Sequence, residues 1–299
     1  MSQSSTPPPT AIQRVPVFQT MREAYRAVFT SLPLLVRAAF LPYVLSIAIA
    51  FLSLFALQNA FLTFVMTVFG FVPYTLFGVA WHRVTLLQGR EVPPLFPSWA
   101  ARHWRFMGYA MALTGIAYIL WLLVFVTTAG IWGGREIGAA QGALLPLLGV
   151  AALGILIFLA MRISFVFPAA AVDESYTLRD SWIHTRRQAL RLAATLFVTA
   201  MPIMILLMIA NGIVSSAVLS GASTFPEGST QEEALTRLME ENMGMLIAAQ
   251  IVFSILSYIL MALMVSAVSI AFRICTGWVP ASPGGPPAPY DGEDGSESS

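Results

Sequence analysis

Apolar positions in this chain run in long unbroken stretches, without the short-period alternation of soluble strands and helices. Ala38 to Trp81 contains no Asp, Glu, Lys or Arg, and neither do Phe106–Gly134, Leu192–Pro226 and Asn242–Phe272. Between Ile137 and Val172 the single charge is Arg162. An apolar run of about 18 residues or more is what a bilayer-spanning helix requires. The pattern predicts an all-α polytopic integral membrane protein with six transmembrane helices. The first stretch is too long for one span, and Gln58-Asn59 is its one strongly polar point, so a tight hairpin there separates helices at 33–57 and 61–82. The others fall at 106–129, 143–167, 192–219 and 246–273, with Pro168 loosening or ending the fourth.

The polar segments between these runs are arginine-rich on one side only. Arg14, Arg22, Arg26 and Arg37 precede the first span, and Arg83, Arg90, Arg102 and Arg105 lie between the second and third. Arg179, Arg186, Arg187 and Arg191 separate the fourth and fifth, and Arg273 follows the sixth. The opposite loops hold only Arg135 and Arg237. That asymmetry predicts that both termini are cytoplasmic. Trp81, Trp99, Trp104, Trp132, Trp182 and Trp278 fall near the expected interfaces, as an aromatic belt.

The arginine-rich linkers read as amphipathic interfacial helices. Thr177 and Asp180 have the spacing of a capping box, and Leu178, Trp182 and Ala189 share the face behind it. Each linker precedes two spans, in the segments Val17–Arg37, Pro97–Arg105 and Leu178–Arg191. Ser-Trp followed by arginines occurs at both 98–105 and 181–187. Two readings stay open: three repeats of an interfacial helix plus two spans, or the Trp and Arg content common to short helices at anionic surfaces. In the external loop Gly221–Gly244, Thr230 and Glu233 mark a second helix start, followed by Leu235, Leu238 and Met239. A short surface helix and a lid are the two readings there.

Composition narrows the class further. The 299 residues are 57% hydrophobic and 10% charged, more apolar surface than one soluble core can hide. A net charge of +1 implies no attraction to nucleic acid. All 16 basic side chains are arginine, which excludes lysine Schiff-base and P-loop chemistry. Cys275 is the single cysteine, so the chain forms no internal disulfide or cysteine metal cluster. Residues 1–16 are polar and Pro-rich, read as a disordered segment with no cleaved signal peptide. Residues 17–276 form the six-helix domain, and 277–299 a disordered acidic tail rich in Pro, Gly and Ser.

Candidate chemistry is sparse. An arginine near the middle of a span costs on the order of 3 kcal/mol to insert. Arg162 either snorkels about 9 Å to the interface or faces the bundle interior, paired with a carboxylate or an anionic headgroup. Asp173 and Glu174 are its nearest acids in sequence. Asn211 and Gln250 are the other notable intramembrane polar groups, of the kind that hydrogen-bonds helices together. Gly130, Gly134, Gly138 and Gly142, with Arg135 and Glu136 among them, read as an external turn. His82, His103 and His184 have no metal-ligand partner at helical spacing, so neither a metal nor a cofactor is expected.

The run Arg162-Ile-Ser-Phe-Val-Phe-Pro168 to Asp173-Glu174, then Ser181-Trp182 and Thr185-Arg186, resembles a pattern in one group of bacterial proteins. These are six-helix inner-membrane proteins related to the membrane domain that precedes some glycerophosphodiester phosphodiesterases. Here Arg186 stands where that pattern has glycine. The resemblance implies an inner-membrane protein with no soluble catalytic domain, and it implies no particular activity. The expected function is a non-enzymatic organising, assembly or regulatory membrane protein whose partners are membrane lipids and a further membrane protein. The alternative is a transporter or lipid-handling protein with Arg162, Asn211 and Gln250 lining a polar cavity. An integral-membrane enzyme requires an acid or His beside Arg162, from Asp173, Glu174 or His184.

Overall fold

The computed structural model describes residues 14–56, 59–132, 139–222 and 231–280, which are helices joined by short connections. In order these are α1 (Val17–Thr30), α2 (Leu32–Ala56), α3 (Ala60–Phe69), α4 (Phe71–Leu86), α5 (Ala101–Trp132), α6 (Ala139–Ile163), α7 (Val166–Ala171), α8 (Leu178–Thr185), α9 (Ala189–Ala222) and α10 (Gln231–Thr276). Five segments among the described residues are long and apolar enough to cross a membrane: Leu32–Ser53, Ala60–Leu86, Ala101–Val126, Ala189–Ser216 and Met243–Thr276. In α6 the described apolar stretch is the shorter Leu147–Ile163.

Each boundary has a local cause. α2 ends at Ala56 and α3 begins at Ala60, on either side of the hairpin expected at Gln58-Asn59, of which Gln58 lies outside the described residues; the Asn59 side chain caps α3 by accepting from the amides of Phe61 and Leu62 at 3.0 and 3.1 Å. Pro168 ends α6 four residues before itself: its ring clashes with the carbonyl of Ser164 and it has no N–H to offer. Ser164 and Phe165 therefore turn, and the short α7 follows. Asp180 and Thr177 form the capping box that starts α8. Residues 97–100 are not helical, so the second linker is no separate interfacial helix; α5 begins directly at Ala101. The separate helix expected after Thr230 is likewise absent. α10 runs unbroken from Gln231, since no proline interrupts residues 231–276. Gly130 and Gly142 lie inside α5 and α6, while Gly134, Gly138 and the terminal segments 1–13 and 281–299 lie outside the described residues.

Burial is confined almost entirely to the arginine-rich ends of the helices. α3 has no buried residue, whereas α4 buries most of its length, Phe77 and Trp81 completely. In α5 only His103, Phe106 and Met107 are buried among the described side chains. None of residues 204–216 in α9, and none of the described side chains in 243–261 of α10, is buried. One core joins Val28 of α1, Leu35 of α2, Phe77 and Trp81 of α4, Ile203 of α9 and Leu263 of α10. A second unites Val15, Leu86, Phe165, Leu192 and Phe272. α1 is thus more than a surface helix. It buries Thr20, Ala24 and Val28 at i, i+4, i+8 spacing against α9 and α10, and leaves Arg22 and Arg26 exposed.

A polar seam locks α4 to α10. Trp81 Nε1 donates to the Ala262 carbonyl at 3.0 Å and to Ser266 Oγ at 2.9 Å, and His82 Nδ1 meets Ser269 Oγ at 2.7 Å. Trp81 is therefore a core residue and no part of an interfacial belt. Small residues at Ala262, Ser266 and Ser269 let the two backbones approach while their hydroxyls supply the bonds. Gly78 performs the same service between α4 and α5: a Cβ there would lie 2.6 Å from Cζ of Phe106. Phe106 is buried and wedged against Phe167 at 5.0 Å, so its ring has little room to yield. Gly78→Ala is expected to cost about 1–3 kcal/mol. Gly108→Ala, where a Cβ meets nothing within 4 Å, is expected to cost none. Thermal unfolding of the two variants in detergent measures the difference.

Candidate functional site

The break at Pro168 sets up the chemistry of the arginine-rich end. After α7 the chain turns through Asp173, whose φ of +61° is the left-handed conformation that Asp adopts more readily than most residues. This turn holds the carboxylate against Arg102 at 2.7 Å, Arg105 at 3.2 Å and Arg83 at 3.8 Å. Arg83 also forms a two-pronged pair with Glu91, at 2.8 and 2.6 Å from Nη2, and donates to the Ala171 carbonyl at 3.0 Å. Three guanidiniums and two carboxylates thereby tie α4, α5, the 87–100 connection and the exit of α7 into one hub. Beside it opens a cleft of about 140 Å³ lined by Arg83, Glu91, Arg102 and His103 with Pro93 and Pro94. Every arginine of the cleft already has a carboxylate partner.

Asp173 is therefore not the counter-ion of Arg162. Neither is Glu174, whose carboxylate accepts from Trp278 Nε1 at 2.7 Å. The expected pairing is corrected on both counts: the break carries the two acids toward α4, α5 and the end of α10. The chain does fold back onto Arg162, but through α8. Ser181 Oγ and Thr185 Oγ1 donate to the Arg162 carbonyl at 2.8 and 3.1 Å, covering an oxygen at the broken helix end. Ser181 and Thr185 are the buried face of α8, while Leu178 and Trp182, on the face read from the sequence as dipping into lipid headgroups, are 49% and 40% exposed.

Arg162 is 4% exposed. Its Cζ lies 4.1 Å from the centroid of Trp182 and 5.7 Å from that of Phe158. These contacts return about 2 kcal/mol at a desolvated site. Nε and Nη1 are buried without a hydrogen-bond partner among the described residues. Burying an unpaired cation costs several kcal/mol, so the rings alone do not balance it.

The remaining candidates stay apart. Asn211 is exposed on α9, about 33 Å along the helix from Ala189. Gln250 is exposed on α10, where its amide meets Ser254 Oγ at 3.5 Å. Both lie on stretches of α9 and α10 that bury no described side chain, away from the packed end that holds Arg162. The histidines are engaged locally: His103 Nδ1 accepts from the Ala100 amide at 3.0 Å, and His184 lies 3.0 Å from the Tyr176 hydroxyl. Among the described residues no group of His, Cys, Asp or Glu could hold a metal ion. Sequence reasoning missed Phe158 as a partner of Arg162, and the role of Trp182 and Thr185; the Ser181-Trp182 repeat was the signal that pointed to them.

No protein-family model, curated protein or solved structure matches the chain, and nothing links it to the membrane domain of glycerophosphodiester phosphodiesterases.

The ion hub predicts a salt-sensitive contribution. Asp173→Asn keeps the tolerance for positive φ and removes only the charge. Because the carboxylate is 47% exposed, the expected loss is about 1 kcal/mol in dilute buffer, shrinking toward zero at about 1 M salt. Thermal unfolding across a salt series reads it. The capping box adds a pH dependence. Hydrogen bonds from Thr177 hold the Asp180 carboxyl below its ordinary pKa. A depressed folded pKa gives stability that is present above the unfolded value of about 3.9 and lost as pH falls through the folded one. Amide exchange over 178–185, corrected for its intrinsic pH dependence, is expected to rise on acidification through that window, and Asp180→Asn to remove the effect.

Proposed function

We propose that this chain is a bacterial inner-membrane protein that crosses the bilayer six times with both termini in the cytoplasm. It organises, assembles or regulates membrane lipids or protein partners, and converts no substrate. The observation that carries this reading is the gathering of core, ion hub and Arg162 at one end of the helices. That end is a stiff, cationic platform at a membrane boundary, while the far halves present apolar surface for lipid. A sixth span is supported by the length of α6, whose 25 residues extend about 37 Å against a hydrocarbon thickness of about 30 Å. The arginine asymmetry of the connections supports the orientation. A repeat of interfacial helix plus two spans finds support in α1 and α8, which precede span pairs; the second unit has no such helix.

One observation favours the lipid-handling alternative: Arg162 is buried with no hydrogen-bond partner for Nε or Nη1. A photo-reactive residue separates the readings. Replacing Ile183, 52% exposed at the cationic end, is expected to give discrete adducts in cells, and replacing Phe61, 72% exposed at the far end, only bulk lipid. Transport of a solute by reconstituted protein, abolished in folded Arg162→Ala, would contradict the organising role.

A further inference from the structure

We propose that the phosphate group of an anionic membrane lipid binds between Arg162 and Arg186, beside the ring of Trp182. The inference deepens the membrane reading and rests on its placement of the end of α6 at the boundary of the bilayer. Arg162 is 96% buried, and Trp182 lies over one face of its guanidinium at 4.1 Å. A ring over the face leaves the in-plane N–H edge free to donate. Nε and Nη1 have no acceptor among the described residues, and Nη2, which borders both donor edges of the guanidinium, is not sealed in with them, so an anion approaches through Nη2. Arg186 follows Thr185, whose hydroxyl bonds to the Arg162 carbonyl at 3.1 Å, and is a second cation exposed at the C-terminal end of α8.

No carboxylate of the neighbouring segments is available to neutralise the pair. Asp173 serves Arg83, Arg102 and Arg105; Glu174 accepts from Trp278; and Asp180 is committed to Thr177. An anion from outside the chain would neutralise the pair, and a phosphodiester suits it best, because its two free oxygens can bridge two guanidiniums. The surroundings choose the source. Phe158, Trp182 and Ile183, exposed by 48%, 40% and 52%, flank the cations with apolar surface. That is the arrangement a headgroup with attached acyl chains requires, and free phosphate does not use it.

The test is native mass spectrometry of the full chain in mild detergent with added phosphatidylglycerol, phosphatidylcholine or inorganic phosphate. Phosphatidylglycerol is expected to be retained in preference to phosphatidylcholine, whose choline meets like charge at Arg186. Loss of one charge-assisted contact in Arg186→Gln is expected to weaken retention about tenfold. Arg162→Gln should do the same, and Arg187→Gln should leave it unchanged. Arg186 is exposed, so its variant folds even if Arg162→Gln does not. Equal retention by wild type and Arg186→Gln overturns the site and leaves the six-span reading standing. Inorganic phosphate binding as tightly as the lipid overturns the lipid as its source. Absence of any phosphatidylglycerol adduct on the wild-type protein also overturns it.

Discussion

A proline inside a membrane helix leaves the carbonyl four residues earlier without its amide partner, and lipid offers no replacement. The arginine-rich end of this protein is arranged around that constraint at Pro168. Because α6 cannot continue, Ser164 and Phe165 turn and α7 packs against α4 and α5. Because the turn after α7 passes through Asp173 with positive φ, one carboxylate meets three arginines from two other helices. The next helix, α8, returns its hydroxyls to the carbonyl of Arg162 and its tryptophan to the guanidinium. One backbone defect thus organises the ion hub, the cover over Arg162 and the approach to α9.

The uneven core follows from the solvent. Within hydrocarbon, apolar helix surfaces gain little by meeting each other, since lipid tails are as apolar as leucine. Near the boundary, water and headgroups penalise loose packing and unpaired polar groups. With the arginine-rich end placed at that boundary, as proposed, the tight contacts collect there: Trp81 and His82 on Ser266 and Ser269, Gly78 under Phe106, and Tyr25 donating to the Thr199 carbonyl at 3.0 Å. In the far halves the side chains that face outward are Phe61, Phe64, Ile205, Met208 and Ile255.

Five of the long apolar helices were legible in the sequence because their signal is bulk hydropathy. The capping box at Thr177 and Asp180 was legible because a cap is local. The partners of Arg162 were not. The nearest acids by sequence, Asp173 and Glu174, were drawn elsewhere by arginines 71 and 68 residues away and by a tryptophan 104 residues away. Trp81 read as an interfacial residue because its position next to a charge patch is the same whether its ring faces lipid or α10. The second linker was overread: Pro97–Arg105 has the Trp and Arg of a surface helix, but its helical part begins at Ala101 and belongs to α5.

The central claim is that the packed, arginine-rich end lies at the cytoplasmic boundary of a six-span protein. Single cysteines in a Cys275→Ala background test it most directly, at Ala60, Ser98 and Leu178, all exposed. With a membrane-impermeant maleimide on spheroplasts, Ala60→Cys should label at once, and Ser98→Cys and Leu178→Cys only after the membrane is permeabilised. Labelling of Leu178→Cys from outside would show that α6 does not cross, and the reverse pattern at Ala60 and Ser98 would invert the whole assignment.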